Sequence, residues 1–312
     1  MEQNLTFRPA PSRPVWRSFM ILIGFILIGM SIGNALSVFL IKLTAMLVGD
    51  SFSLSQVTEL LNTPQNIPNG WYYLMILQGV TQLCTFVLPG LLYWYKIEKK
   101  TLNDLFVKPL NNSILLFFVA LLVIGFMPMD SLIIELNQAM TLPAVLSDLE
   151  IWMKNKELQL EKLTGYLTDF KTQGQFLVAF VVIAIIPALG EELLFRGILQ
   201  QKIEEKLQNP HVAIWVSAAV FSAIHFQFYG FVPRLLLGAM FGYLYAWSRN
   251  LWIPIFAHLV NNGFTVTMLY LNKVSIISFD IENPQSVPVS GAILSLILTV
   301  GLLAKIRRIA SC

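Results

Sequence analysis

Glu191 and Glu192, two adjacent carboxylates, stand with Arg196 in the segment Pro187-Ala-Leu-Gly-Glu-Glu-Leu-Leu-Phe-Arg-Gly197, inside a chain that is otherwise apolar. An unpaired ionised carboxylate is strongly disfavoured in hydrocarbon, so these side chains need partners and mark a functional-site hypothesis. Glu192 and Arg196 are four residues apart and can pair on one helix face, while Glu191 points about 100° away. No basic residue lies four positions from Glu191 on either side, which leaves its carboxylate free. The chain has three histidines. His211 sits beside Pro210 in a polar turn and reads as solvated, whereas His225 and His258 lie in apolar runs, Phe221-Ser-Ala-Ile-His225 and His258-Leu-Val-Asn-Asn262. A glutamate and an imidazole converging in a partly dry pocket can deprotonate a water. A second imidazole and a carboxamide can donate to the oxyanion formed when that water attacks an amide carbonyl. His258 and Asn262, four apart, share a face for that task, and Phe221, one turn before His225, can wall the pocket. The combination reads as peptide-bond hydrolysis. No cofactor is required by it, although Glu191, His225 and His258 are also a donor set for a divalent metal such as zinc. The His-Glu-x-x-His signature of many zinc proteases is absent.

Structural readings stand beside each of these. Glu192 with Arg196 can be a helix-end salt bridge, His225 a buried hydrogen-bonded ring, and Asn262, with Asn261 adjacent in register, a bond to a neighbouring helix. Asp130 and Glu135 read as interfacial, with no chemistry implied. Pro187, Pro254, Gly190 and Gly197 bend spans or let them approach.

The elements that position these residues follow from composition. The chain has 312 residues, 56% hydrophobic and 12% charged, with mean hydropathy +0.67. That is an all-α, polytopic transmembrane helix bundle, with room for about eight spans of roughly 20 residues and their loops. Apolar windows place them near 18–40, 71–94, 113–135, 176 into the Glu191 helix, 212–228, 232–247, 251–271 and 289–304. A net charge of +3 gives no argument for nucleic acid, and Cys84 and Cys312 form neither a disulfide framework nor a metal spacing. Residues 1–17 carry Arg8, Arg13 and Arg17 ahead of an apolar run too long for a signal peptide, so the first span is read as retained. With the N-terminus inside, fourteen of the 21 lysines and arginines fall on the inner side and seven on the outer, which favours a cytoplasmic N-terminus and C-terminus in a plasma membrane of bacterial type. Trp16, Trp71, Trp94, Trp247 and Trp252 fall at span ends, where indoles favour the headgroup level. The long outer loop holds Ser147-Asp-Leu-Glu150, a capping-box pattern. Leu149, Met153, Leu160, Leu163, Leu167 and Phe170 then recur at helical spacing, predicting an amphipathic helix on the outer surface or across the bundle.

Depth can be counted. The polar stretch from Gln200 to Pro210 reads as a solvated hairpin tip turning near Gln208. Glu191 and His225 each lie 17 residues from that turn, so antiparallel helices bring them to one level at about 1.5 Å per residue. Arg249-Asn250 turns into the span bearing His258, placing that ring roughly 12 Å in. With the tip protruding by about two turns, the three polar groups share a layer, expected to open to the cytoplasmic half.

Glu191-Glu192-x-x-x-Arg196, Phe221-x-x-x-His225 and His258-x-x-x-Asn262, in this order on successive late spans, resemble the CPBP family of CAAX prenyl endopeptidases and bacterial Abi-type intramembrane proteases. The resemblance covers about 176–271. It implies Glu191 as the water-activating base with His225, His258 and Asn262 as the oxyanion-stabilising pair, and Glu192 and Arg196 as organisers of the site. It implies an intramembrane endopeptidase acting on a membrane-associated protein or peptide in the bilayer, by either glutamate-activated water or a metal. The corresponding organisation is a cytoplasmic segment 1–17, spans and outer helix 18–174, a catalytic core 175–272, and a last span with a basic cytoplasmic tail 273–312. The alternative function is a non-catalytic immunity or scaffold protein of the same fold that binds a membrane partner.

Overall fold

The computed structural model describes residues 15–109, 113–277 and 287–311. In chain order its helices are α1 Val15–Leu47, α2 Gln56–Asn62, α3 Gly70–Ile97, α4 Ser113–Gln138, α5 Ser147–Leu167, α6 Gln173–Leu207, α7 Pro210–Ala223, α8 Phe231–Ser248, α9 Trp252–Lys273 and α10 Val289–Ser311. The protein is an all-α, multi-pass membrane bundle. α1, α3, α4, α6 and α10 are long and apolar enough to cross a membrane. The other three expected spans correspond to α7, α8 and α9, which fall outside that group; α7 has only 14 residues, and α9 carries His258, Asn261 and Asn262. The first helix is also longer than its apolar window, running to Leu47. Arg8, Arg13 and Cys312 lie outside the described residues.

Proline explains the interior shape of two long helices. Pro89 and Pro187 have no N–H to offer the preceding turn, and each follows a stretch of wide, i to i+5 bonded helix, Leu83–Val87 in α3 and Phe180–Ile185 in α6. α3 and α6 press together beside the second proline, where a Cβ on Gly190 would meet Phe86 Cβ and Val87 Cγ2 at 3.0 Å. The α6–α7 turn falls where expected. Gln208 adopts φ 53°, and the Asn209 side chain accepts from the amides of His211 and Val212 ahead of Pro210 at the first helical position.

The lengths on either side of that turn create the site. At 1.5 Å per residue α6 is about 52 Å long and α7 about 21 Å. The α7–α8 hairpin therefore rises only part-way beside α6, and the space above it becomes a cavity roofed by α5. Because α7 stops at Ala223, His225 is not inside a span running to Phe228 but in the turn that follows, next to Phe226 at φ 53°. The level of Glu191 is nevertheless the predicted one. A Cβ on Gly197 would lie 3.5 Å from Leu251, so α6 continues for about ten residues, roughly 15 Å, beyond the start of α9.

Other expectations are corrected by packing. The hairpin tip is not fully solvated: Lys202 and Glu204 are buried, Lys202 pairing with Glu98 at 2.5 Å and Glu205 at 2.9 Å, and Glu204 with Arg249 at 3.2 Å. Trp94 is fully buried and donates to Thr101 O at 2.7 Å, so it is a core residue and not an interfacial one. Ser147 makes no capping box; Glu150 instead accepts from Leu142 N at 3.1 Å and pairs with Lys154 at 2.7 Å. α5 does form. Its inward face runs from Met153 through Glu157, Leu160 and Leu163 to Leu167, while Leu149, Ile151, Trp152 and Leu158 are exposed.

Candidate functional site

Glu192 is the hub of the site. Its Oε1 accepts from Arg196 Nη1 at 2.7 Å and from His258 Nδ1 at 2.8 Å, joining α6 to α9 with all three side chains buried. Arg196 spends its other arm on Gly238 O at 2.8 Å, and its guanidinium lies over the rings of Phe221 and Phe241, 4.7 and 5.5 Å from their centroids. The Gly238 carbonyl can be reached because α7 and α8 pack tightly there, a Cβ on Gly238 meeting Ala218 and Phe221 at 3.2 Å. Phe241 stacks on the His258 ring at 5.4 Å, fixing its plane.

Glu191 takes no part in that hub. Its Oε2 stands 3.9 Å from His258 Nε2, beyond direct hydrogen bonding and within reach of a bridging water. His225 donates Nδ1–H to Phe221 O at 2.8 Å, since a carbonyl can only accept, so its Nε2 is left for the cavity. It thereby closes the C-terminus of α7, as expected of a hydrogen-bonded ring. Asn262 makes a bond to a neighbouring helix, its Nδ2 donating to Ile183 O at 3.1 Å. That carbonyl is the one Pro187, four residues on, cannot satisfy. Asn261 is bonded to Asn262 Oδ1 at 3.0 Å.

Glu191, Phe221, His225, His258 and Asn262 line one cavity of about 650 Å³, with Pro187 in its wall. Glu192 and Arg196 lie behind it. The lining runs from Phe241 and His258 at the deep end to Gln138 and Leu269 in the final turns of α4 and α9. The cavity thus lies toward the end covered by α5, away from the end where Lys100, Lys202 and Arg249 gather.

Sequence reasoning missed several lining residues. Asp130, read as interfacial, faces the cavity with a buried Oδ1 that has no hydrogen-bond partner among the described residues, and Arg234, one of the seven outer-side charges, donates to Gln227 at 2.5 Å within the wall. Glu157 from α5 accepts from Tyr229 N at 3.4 Å, bracing the loop after His225. The signal for Asp130 was its place in an apolar helix; Arg234 lies in the first turn of α8 and Glu157 in the middle of the amphipathic α5, where charges are ordinary.

The donor types of Glu191, His225 and His258 are those zinc takes, and each imidazole is oriented through its other nitrogen, as ligands are. Among the described residues, however, no group of three or more His, Cys, Asp or Glu side chains is gathered closely enough to hold an ion. As placed, the three do not form a metal centre.

The profile of the family described as type II CAAX prenyl endopeptidase Rce1-like matches residues 173–264, the stretch holding every motif position above. The match covers α6 to the middle of α9, under a third of the chain, and likens that stretch to the family. Three bacterial relatives are similar to part of the chain. The chain is 29% identical over 84 residues to the uncharacterized protein YpbD of Bacillus subtilis, covering 26% of this chain and 40% of that one. It is 34% identical over 88 residues to "Putative membrane peptidase YdiL" of the same organism, covering 28% and 36%. It is 30% identical over 96 residues to the membrane-embedded CAAX protease MroQ of Staphylococcus aureus, covering 29% and 38%. The matches span about two-fifths of each relative's length. No solved structure matches the chain.

Proposed function

We propose that the protein is an intramembrane endopeptidase that hydrolyses a peptide bond of a membrane-associated protein or peptide, of the CAAX-type or peptide-processing kind, with a water activated by Glu191. The observation that carries this reading is the 3.9 Å gap between Glu191 Oε2 and His258 Nε2 inside a cavity also lined by His225 and Asn262. A water in that gap transfers a proton to Glu191 as its oxygen attacks the scissile carbonyl carbon, and the carbonyl π electrons move to oxygen. His225 Nε2 accepts the water's second hydrogen and orients it. The oxyanion receives the free Asn262 N–H and, when the His258 ring carries a second proton, its Nε2–H. Glu192 holds that ring through Nδ1, and Arg196 holds Glu192. As the C–N bond breaks, Glu191 returns its proton to the leaving nitrogen, giving an acid and an amine. MroQ's description as a CAAX protease supports the substrate class.

Orientation belongs to the same proposal. The basic end faces the cytoplasm, so the α5-roofed mouth faces the opposite leaflet or opens laterally within it. Purified Glu191→Gln, reconstituted in lipid, is expected to lose at least about a thousandfold in cleavage of a peptide pool that the wild type cuts, with its thermal unfolding unchanged. Equal cut products from both proteins would overturn the hydrolase and leave the immunity or scaffold reading, since binding survives loss of the base.

A further inference from the structure

α3 carries polar side chains that the hub does not use. Gln78 and Gln82, one helical turn apart, line the 650 Å³ cavity across from Glu191. They also line a second cavity of about 410 Å³, which shares His225 and Gln227 with the first. This side cavity runs between α3 and the inward face of α5, past Leu160 and Leu163, to Asn34 on α1. Two polar atoms are left open here: Gln82 Oε1 and, beside it, Thr81 Oγ1 are buried without a hydrogen-bond partner among the described residues. Buried polar atoms are rarely left so, and each such exception calls for a reason.

Spacing supplies one. Residues four apart on a helix are separated by about 6 Å along its axis. In an extended chain, groups on the same side repeat every two residues, at about 6.6 Å. A carboxamide offers both an acceptor and donors, so two of them at this interval match successive same-side amides of an extended peptide. Such a peptide inside a membrane needs this, because unwinding it for cleavage exposes N–H and C=O groups that lipid cannot satisfy. We infer that Gln78 and Gln82 form a main-chain docking ladder that holds an extended peptide segment, admitted between α3 and α5, against the Glu191 and His258 face. The inference rests on the peptidase reading for the identity of its ligand. Recognition is of backbone, so the ladder tolerates varied side chains, and Gln82 Oε1 accepts from a peptide N–H.

The test uses the full chain as Glu191→Gln in lipid nanodiscs and a pool of capped ten-residue peptides of Gly, Ala, Ser, Val and Leu. The best-retained peptide is resynthesised with single amides replaced by esters, each of which removes one N–H. One ester is expected to weaken binding about tenfold to the protein with Gln82 and to leave binding to the Gln82→Met protein unchanged, because the partner is already gone. Gln82→Met is expected to unfold at the same or a higher temperature, since it removes an unpartnered buried oxygen; a ladder that merely holds the fold predicts a fall. Ester and Gln82→Met losses that multiply independently, or no peptide retained above the Gln78→Met/Gln82→Met protein, overturn the ladder. Cleavage of the same peptide separates the two readings. Cutting by wild type and not by Glu191→Gln, with independent ester losses, leaves the peptidase and removes the ladder. A coupled ester loss with equal cutting does the reverse.

Discussion

At the scale of single residues, the two adjacent glutamates have different environments and different work. Glu192 is fully enclosed with Arg196 and His258 on one oxygen, while Glu191 faces the cavity. Removing one member of a buried ion pair strands its partner's charge, so Arg196→Ala is expected to cost about 3–5 kcal/mol in thermal or denaturant unfolding in detergent. Glu191→Gln should cost little by the same measurement. Asn262 gives a sharper case, because its donor covers a carbonyl that proline left bare. Asn262→Ala is expected to destabilise by about 1–3 kcal/mol, the desolvation cost of an unmet acceptor. Adding Pro187→Ala supplies a helical N–H to Ile183 O and should recover most of that loss. Two independent, additive losses would show that the Asn262 bond is not what closes α6.

At the scale of elements, the amphipathic α5 decides how the site is covered. Its contact with the loop after His225 is made by Glu157 at Tyr229 N and by Trp152 against the Phe228 ring at 5.3 Å. Burial, the largest influence on it, raises the Glu157 carboxyl above its ordinary value, with the Tyr229 amide acting in the opposite direction. A raised carboxyl binds more protons docked than undocked, so docking is strongest below the ordinary glutamate value and weakens as pH rises through the raised one. Hydrogen exchange across residues 147–167 is therefore expected to speed up over that window beyond its intrinsic pH dependence. Glu157→Gln should flatten this excess; an unchanged pH profile in the variant would assign it to another group.

At the scale of the whole molecule, the bundle has two unlike ends. One gathers Lys100, Lys202, Glu98, Glu204, Glu205 and Arg249 into ion pairs, and the other carries α5 and the cavity mouth. The proposed orientation predicts that a cysteine at Gln208 is labelled by an impermeant maleimide only from the cytoplasmic side, and one at Lys156 only from the other. Labelling in the reverse pattern would turn the protein over and place the mouth toward the cytoplasm.

The sequence by itself determined the all-α class, most of the helices, the α6–α7 turn and the candidates Glu191, His225, His258 and Asn262. Apolar windows, the Asn-Pro signal and i,i+4 spacing are local properties of a chain that must satisfy its backbone within lipid. Spacing along α6 was enough to pair Glu192 with Arg196 and to leave Glu191 free. Only the tertiary structure decided which group lies across from which. The Glu192–His258 bond joins residues 66 apart in sequence, and the Asn262 bond spans 79. It also decided the direction in which the cavity opens, because that depends on how far the short α7–α8 hairpin rises beside α6 and on where α5 lies. Asp130, Glu157 and Arg234 become cavity residues for the same reason: local periodicity reports a face, and packing alone reports what that face meets.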